Sequence, residues 1–430
     1  GTDLSCLEAV VQASPDWSSR IRALHLDNLG HPAQLDHYLA STATQARVIV
    51  VRLLGSRGHW SYGLEQLQRW SDEGADRQLL VLAGTVDQQG DLHGIGTVVP
   101  ALADRLAALL REGGETNMAR LLDAIQALLN GAPPDSEEIA VVPLADPFPW
   151  DWQDDPGATV GVVLYRAQLQ AGDTALAQHL NQALRERGLR PRLIWVSSLR
   201  DPAVQAGVLD LLRSQGAQVV ITGTAFASVS TEQAGLGSAL WDNLDRPVLQ
   251  LLTASTSRER WLESSRGLEP LDLSLQVVMP ELDARVTTRP CAFRQARPPL
   301  GGLATAITTQ QPDLDGINWL VEHAACWIDL QDTPAEHRRV AMVLANYPVR
   351  DGRVANGVGL DTPASVVNII GWLADAGYQL GEHPKPSNGD RLIASLLAGR
   401  TNSAEGRHRQ PLDHLPLETY QAWWDTIPNE

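Results

Sequence analysis

Cysteine is scarce in this 430-residue chain, which contains only Cys6, Cys291 and Cys326. The three lie far apart and form no Cys-x-x-Cys pair, so the sequence excludes a disulfide framework and a structural zinc site built on thiolates. We therefore expect a reducing, cytoplasmic setting. Lysine is scarcer still, because Lys385 is the only one in the chain.

Basic charge and long apolar runs are also lacking. The formal net charge is −17, whereas nucleic acid and anionic membranes bind to basic protein surfaces. No apolar run approaches the ~20 residues that cross a bilayer, and no basic segment followed by an apolar one opens the chain. We expect neither nucleic acid nor a membrane as a partner.

Short apolar segments that alternate with helical spacing are abundant instead. The segments 46–54 and 78–83 read as strands, and 62–72 and 100–112 read as helices. Such alternation predicts a parallel sheet covered by helices. The expected fold class is α/β, with successive doubly wound parallel-sheet domains of the Rossmann or flavodoxin-like type, the last of them incomplete.

The composition changes along the chain predict four parts. Residues 1–132 form an amino-terminal α/β domain, and 133–157 form a linker rich in proline and acidic residues. Residues 158–310 form a second α/β domain, and 311–430 form a helical bridge and the start of a third. We expect about five parallel strands in the second domain, at 159–165, 192–196, 218–222, 247–252 and 274–279.

A glycine-rich loop at 345–365 follows a predicted strand at 339–345 and precedes a predicted helix that starts near Thr362. Anionic ligands bind at such places in open α/β sheets, and Arg350 and Arg353 add positive charge. The alternative is a long connection whose glycines only satisfy turn geometry. The loop matches neither the Walker pattern nor the dinucleotide fingerprint, so neither ATP nor NAD is expected there.

Several ordered segments together resemble one family, the large subunit of cobaltochelatase of the CobN type, and more distantly the porphyrin-binding component of magnesium chelatase. The segments are VVRLLGSRGHWSYGLEQL (50–67), GGETNMARLL (113–122), VGVVLYRAQLQAGDTALAQHL (160–180), WVSSLRDP (195–202), TGTAFA (222–227), SSRGLEPLDL (264–273), VVMPELDAR (277–285) and the glycine-rich loop.

The resemblance implies a metal chelatase that works in a multisubunit complex. Such a protein inserts Co²⁺, its substrate ion, into hydrogenobyrinic acid a,c-diamide during cobalamin biosynthesis. Separate AAA+ ATPase subunits use ATP and Mg²⁺, which this chain would not bind. Family members are longer, so the resemblance implies an amino-terminal portion that is inactive alone. Two alternatives stay open: a corrinoid- or tetrapyrrole-binding module without chelation activity, and the large subunit of a magnesium-type chelatase.

Metal insertion needs a base that removes two protons from ring nitrogens and a ligand that holds the cation weakly. Glu281 is the candidate base and metal ligand, with Asp283 as a second catalytic carboxylate. Their Pro-Glu-Leu-Asp context is similar to the family's Pro-Glu-x-Asp-Gly motif, although Ala284 stands where the family has glycine. The alternative is a solvated turn at the end of a strand.

Carboxylate arms on a corrin precursor favour arginine partners, because a guanidinium binds a carboxylate through two parallel hydrogen bonds. The predicted substrate-binding residues are Arg166, Arg266, Arg285, Arg350 and Arg353. Arg166 directly follows a predicted strand, so we expect it at the carboxyl edge of the sheet. Thr174 is predicted to cap the next helix through its hydroxyl group.

Overall fold

The computed structural model describes residues 2–228, 239–298, 303, 306–347, 351–381, 385–401 and 403–427. The chain divides into two compact units, Gly1–Ile328 and Asp329–Glu430. Helices surround a mostly parallel sheet in the first unit, so the α/β class is confirmed. The finer division at 132, 157 and 310 stays a prediction.

The amino-terminal part of unit 1 is built on two parallel strands, β1 (Val48–Leu53) and β2 (Gln78–Ala83). The predicted strands are confirmed here, because an apolar run that is buried between helices gains most by pairing its backbone in a sheet. The helices around this pair are α1 (Thr2–Ala13), α2 (Pro15–Ser18), α3 (Pro32–Ser41), α4 (Ser61–Asp72), α5 (Gln89–Leu92), α6 (Pro100–Glu112) and α7 (Gly114–Leu129).

A seven-stranded sheet forms the main core of unit 1, in the order β3-β5-β4-β6-β7-β8-β9. The five central strands are parallel, and the two edge strands are antiparallel to their neighbours. The strands are β3 (Phe148–Trp150), β4 (Thr159–Tyr165), β5 (Arg190–Val196), β6 (Val219–Thr222), β7 (Val248–Ala254), β8 (Val286–Arg297) and β9 (Ile307–Pro312).

Helices cover this sheet, and its inward side chains are inaccessible to solvent; Trp195 is the largest of them. The helices are α8 (Arg166–Gln170), α9 (Ala175–Glu186), α10 (Pro202–Ser214), α11 (Ala239–Leu244), α12 (Arg258–Glu263), α13 (Pro270–Leu273), α14 (Met279–Glu281) and α15 (Leu314–Asp332), with a π-helical turn at Ser274–Val278.

The fifth parallel strand is β8, and the strand predicted at 274–279 is wrong. That segment is helical and runs from α13 through the π-helical turn into α14. A short apolar run fits either a strand or a helix, and periodicity alone does not separate them. Leu273 and Val278 are 47% and 53% exposed, so the segment lies on the surface of the unit and not inside the sheet.

The segment predicted as a linker, 133–157, contributes β3, whose Trp150 packs edge-on against Trp195 with ring centroids 5.8 Å apart. Arg185 fixes the residues after β3, with Nη1 2.9 Å from Asp151 Oδ2 and Nε 3.1 Å from Asp155 Oδ2. The end of this segment is therefore bound to unit 1 by backbone pairing and by two ion pairs.

Unit 2 contains α16 (Thr362–Asp375), α17 (Gly389–Leu397) and α18 (Leu417–Trp424). Among its described residues there is no strand, so the strand predicted at 339–345 is wrong. Val343 in that run is 93% exposed. A buried strand also needs a neighbouring strand whose backbone groups pair with its own N–H and C=O groups.

Across the described parts of both units, no helix is long and apolar enough to span a bilayer.

Candidate functional site

The most distinctive polar site of unit 1 lies where β4 and β6 end. The loop that follows β6 begins with Gly223 and crosses close to β4, because a Cβ at Gly223 would lie 2.6 Å from Leu164 Cδ2. Only glycine allows that approach without displacing Leu164. The hydroxyl of Tyr165 donates a hydrogen bond of 2.8 Å to the carbonyl oxygen of Ala225 and so fixes the loop to the end of β4.

A buried ion pair lies beneath this loop. Arg285 Nη2 is 2.6 Å from Asp283 Oδ2, and both side chains are 0% exposed. Burial lowers the pKa of Arg285, and the charge of Asp283 opposes that effect. In the described chain, Asp283 Oδ1 and Arg285 Nε are buried and have no hydrogen-bond partner. The two charged side chains therefore lie in the interior of unit 1 and not on its surface.

Loop atoms and one sheet residue complete the surroundings of the pair. The backbone N–H and the hydroxyl of Ser228 donate to Asp283 Oδ2 over 2.7 and 2.9 Å. Arg285 Nη1 donates to the carbonyl oxygen of Thr224 at 3.0 Å and to Gln250 Oε1 at 3.1 Å. The pair thus joins β7 to the segment 223–228 and holds this loop in one conformation.

The predicted carboxylates are separated by this arrangement. Glu281 ends the short helix α14 and is exposed, whereas Asp283 is buried in the ion pair. Ala284 between the pair adopts a φ of 55°. Glycine adopts that left-handed conformation more readily than alanine does.

The predicted arginines of unit 1 occupy three different environments. Arg285 is buried, and Arg266 is exposed in the turn that follows α12. Arg166 follows β4 as expected, but its Nη1 donates to the carbonyl oxygen of Leu144 at 3.2 Å and lies 3.8 Å from Asp146 Oδ2. Its charge is therefore partly neutralised by the segment that crosses in front of the sheet edge.

The region before α9 differs from expectation. Thr174 precedes this helix, but its side chain makes no capping hydrogen bond, so that prediction is wrong. The neighbouring Asp173 accepts a hydrogen bond of 3.0 Å from the backbone N–H of Gln310 in β9. Burial raises the pKa of Asp173, and this hydrogen bond opposes the increase. The polar groups here hold β9 in place, since the partner of Asp173 belongs to that strand.

The glycine-rich loop belongs to unit 2. Arg353 is exposed in this loop, and Arg350 lies outside the described residues. Asp351 is bound by the hydroxyl of Thr401 at 2.8 Å and by Arg409 Nη1 at 3.2 Å. The loop residues from Gly352 to Pro363 line an open depression of about 570 Å³.

The anion site expected at the start of α16 depended on a strand before the glycine-rich loop and on a free helix amino terminus. No strand precedes the loop in the described residues of unit 2. The carboxylate of Asp361 accepts a hydrogen bond of 3.1 Å from the backbone N–H of Ala364, and this negative group already occupies the amino terminus of the helix. The depression therefore exposes a carboxylate and backbone groups, which are less suited to an anion.

Thr224, Ser228 and Gln250 are the site residues that sequence reasoning missed. A usable signal was Gln250, an amide with apolar neighbours on both sides in β7, because a buried amide requires hydrogen-bond partners. The described residues contain no group of three or more His, Cys, Asp or Glu side chains that could hold a metal ion. Within that part of the chain, Glu281 therefore belongs to no such cluster.

The sequence matches the family model described as CobN/Magnesium Chelatase over residues 107–430. It is 33% identical to the aerobic cobaltochelatase subunit CobN of a Sinorhizobium species, over 100% of this chain and 35% of that protein. It is 32% identical to the protein of the same name from Pseudomonas aeruginosa, over 99% of this chain and 34% of that protein. A magnesium-chelatase subunit of Rhodobacter capsulatus is 25% identical over 66% of this chain and 25% of that protein.

The catalytic subunit of cobaltochelatase from Mycobacterium tuberculosis has a similar fold, with a TM-score of 0.64 and 24% sequence identity. The similarity covers 93% of this chain and 32% of that one. The chain thus spans about a third of the length of the curated relatives it matches.

Proposed function

This chain belongs to the CobN/magnesium chelatase family, and we propose that it forms part of the tetrapyrrole-binding subunit of an ATP-dependent cobalt chelatase. The substrate would be hydrogenobyrinic acid a,c-diamide, and Co²⁺ would be the inserted ion. ATP and Mg²⁺ would be used by AAA+ partner subunits. One observation supports the cobalt branch most directly: the identity to two CobN proteins is 32–33% over practically the whole chain.

The strand order supports a position for the macrocycle. The five parallel strands follow the order β5-β4-β6-β7-β8, which is the order of doubly wound flavodoxin-like sheets. In such sheets ligands bind outside the carboxyl ends of the strands where the order reverses, which here is between β4 and β6. We place one edge of the tetrapyrrole against the loop 223–228 and near Arg166.

The predicted residues would then act in two ways. Glu281 is exposed and free to meet a bound macrocycle, so it would take protons from ring nitrogens and contact the incoming Co²⁺. Arg266 would bind a carboxylate arm. For Arg350 and Arg353, which belong to unit 2, substrate binding stays a prediction. Asp283 and Arg285 would act from below as positioning residues, because neither side chain is exposed.

Fluorescence titration tests the proposal. The chain contains 13 tryptophans, so a bound macrocycle should quench emission by energy transfer. We expect saturable quenching with hydrogenobyrinic acid a,c-diamide and much weaker quenching with protoporphyrin. The reverse order would favour the magnesium branch, for which the similarity to the magnesium-chelatase protein of Rhodobacter capsulatus is the supporting observation. No response to either compound would refute binding by this part of the family protein.

The role of Glu281 needs the complete subunit with its ATPase partners. Glu281→Gln should abolish cobalt insertion and leave the affinity for the tetrapyrrole unchanged, because the amide keeps the size of the side chain and loses its basicity. Glu263→Gln, another exposed glutamate of unit 1, is the matched control and should insert cobalt normally. Binding without insertion in the unsubstituted protein would favour a binding module without chelation activity.

A further inference from the structure

A groove on the surface of unit 2 contains Lys385, the only lysine in the chain. Its volume is about 360 Å³, and α16 forms one wall with Asn368, Trp372 and Asp375. Lys385 and Ser387 line the groove from the segment that precedes α17. None of these residues belongs to the depression at the glycine-rich loop.

Gly371 leaves room for Lys385 on the surface of α16. A Cβ at this position would lie 2.7 Å from Lys385 Nζ, so the ammonium group lies against the helix where a side chain is absent. Gly371 is buried inside α16, where glycine is destabilising relative to alanine. The residue of α16 that lies beside Lys385 Nζ is therefore one that lowers the stability of the helix.

The chemistry of the groove combines a cation with an apolar face. Lys385 makes no ion pair with any described residue, although Asp375 also lines the groove. Trp372 is 67% exposed beside it, and large aromatic side chains that are this exposed often form binding surfaces. Asn368 and Ser387 add hydrogen-bonding groups. An ammonium group next to an exposed indole suits a carboxylate that is attached to a flat, apolar body.

We propose that this groove binds a carboxylate attached to a flat, apolar body, with Lys385 pairing the carboxylate and Trp372 contacting the adjacent ring edge. The proposal concerns unit 2 by itself, and where it takes the carboxylate arm of a tetrapyrrole as the ligand it rests on the proposed function. A volume of about 360 Å³ is at the lower end for ligand pockets, so the groove holds an arm and an edge and not the whole macrocycle.

The single lysine permits a direct test. An amine-acylating reagent modifies only Lys385 and the terminal amine, and mass spectrometry separates the two products. We expect hydrogenobyrinic acid a,c-diamide to slow acylation of Lys385 several-fold and to leave the terminal amine unchanged. Equal acylation with and without the compound, at concentrations that saturate quenching, would overturn the proposal.

Substitutions test the energetic contribution. Lys385→Gln should weaken binding of the diamide by about tenfold, the usual effect of losing one charge-assisted hydrogen bond. Lys385→Arg keeps the charge and should stay within about threefold of the unsubstituted chain. Arg407→Gln removes one exposed positive charge elsewhere in unit 2 and should have no effect. Equal affinities for Lys385→Gln and Arg407→Gln would refute the groove.

The same measurements separate two negative results: the chain does not bind the tetrapyrrole, or the groove does not bind a carboxylate. If the unsubstituted chain does not bind the diamide, the proposed function is refuted, and benzoate replaces it as the probe. Protection of Lys385 by benzoate would then support a carboxylate site at the groove, and absence of protection would overturn it. If the diamide binds but Lys385 stays unprotected, the function survives and only the groove assignment fails.

Discussion

Arg285 Nη2 lies 2.6 Å from Asp283 Oδ2 in a place where neither side chain reaches solvent. Removing two charges from water is costly, and the cost is recovered only when every remaining group is well paired. Ser228, Thr224 and Gln250 supply most of that pairing. The pair therefore fixes the conformation of the loop after β6 more than it adds to overall stability.

Breaking the pair from one side should be strongly destabilising. Asp283→Asn leaves the guanidinium group of Arg285 buried without its counter-charge, and we expect unit 1 to lose about 3–5 kcal/mol in free energy of unfolding. Urea unfolding followed by circular dichroism measures the change. Glu281→Gln, two residues away and exposed, should change it by less than about 0.5 kcal/mol. Similar losses in both variants would contradict a special role for the buried pair.

Gly223→Ala should destabilise unit 1 through overpacking. The new Cβ would lie 2.6 Å from Leu164 Cδ2, so Leu164 or the loop must move, and such overpacking typically costs about 1–3 kcal/mol. The midpoint of urea unfolding reports the loss. Gly90→Ala in α5 meets nothing within 4 Å and should leave the midpoint unchanged. A neutral Gly223→Ala variant would show that the close approach of the loop is not required.

The three cysteines should differ sharply in reactivity. Burial raises the pKa of Cys6 and of Cys291 to about 12, so neither forms appreciable thiolate at pH 8. Cys326 is exposed. We expect a thiol reagent to modify one cysteine per native chain and three in urea. Cys326→Ser should abolish the native reaction, and fast native modification of any second cysteine would contradict the packing around Cys6 or Cys291.

Asp173→Asn should stabilise the protein in a pH-dependent way. Burial raises the pKa of Asp173 in the folded state, so its ionised form carries a cost that is absent at low pH and complete above the raised pKa. Asparagine keeps an oxygen for the N–H of Gln310 and removes that cost. The melting temperature should exceed that of the parent at pH 7, and the difference should shrink as the pH falls.

Asp210→Asn, an exposed change in α10, is the matched control for this experiment and should show no such trend. A difference for Asp173→Asn that is independent of pH would show that the carboxyl group of Asp173 is not disfavoured by burial.

The α/β class, six of the strands and the family were predictable from the sequence alone. The runs that became β1, β2, β4, β5, β6 and β7 are apolar, short and bounded by turn residues, so burial and backbone pairing leave them few alternatives. The family was also accessible, because its similar segments lie in order along the chain and depend on local sequence alone.

The position of the fifth parallel strand and the different environments of Glu281 and Asp283 depend on tertiary packing. The run at 274–279 suits a helix as well as a strand, and it became a helix because β8 pairs with β7 in its place. Two carboxylates two residues apart look equivalent in sequence. Asp283 is buried because it pairs with Arg285 and because Ser228, 55 residues earlier in the chain, packs against it, and local sequence patterns do not predict that long-range contact.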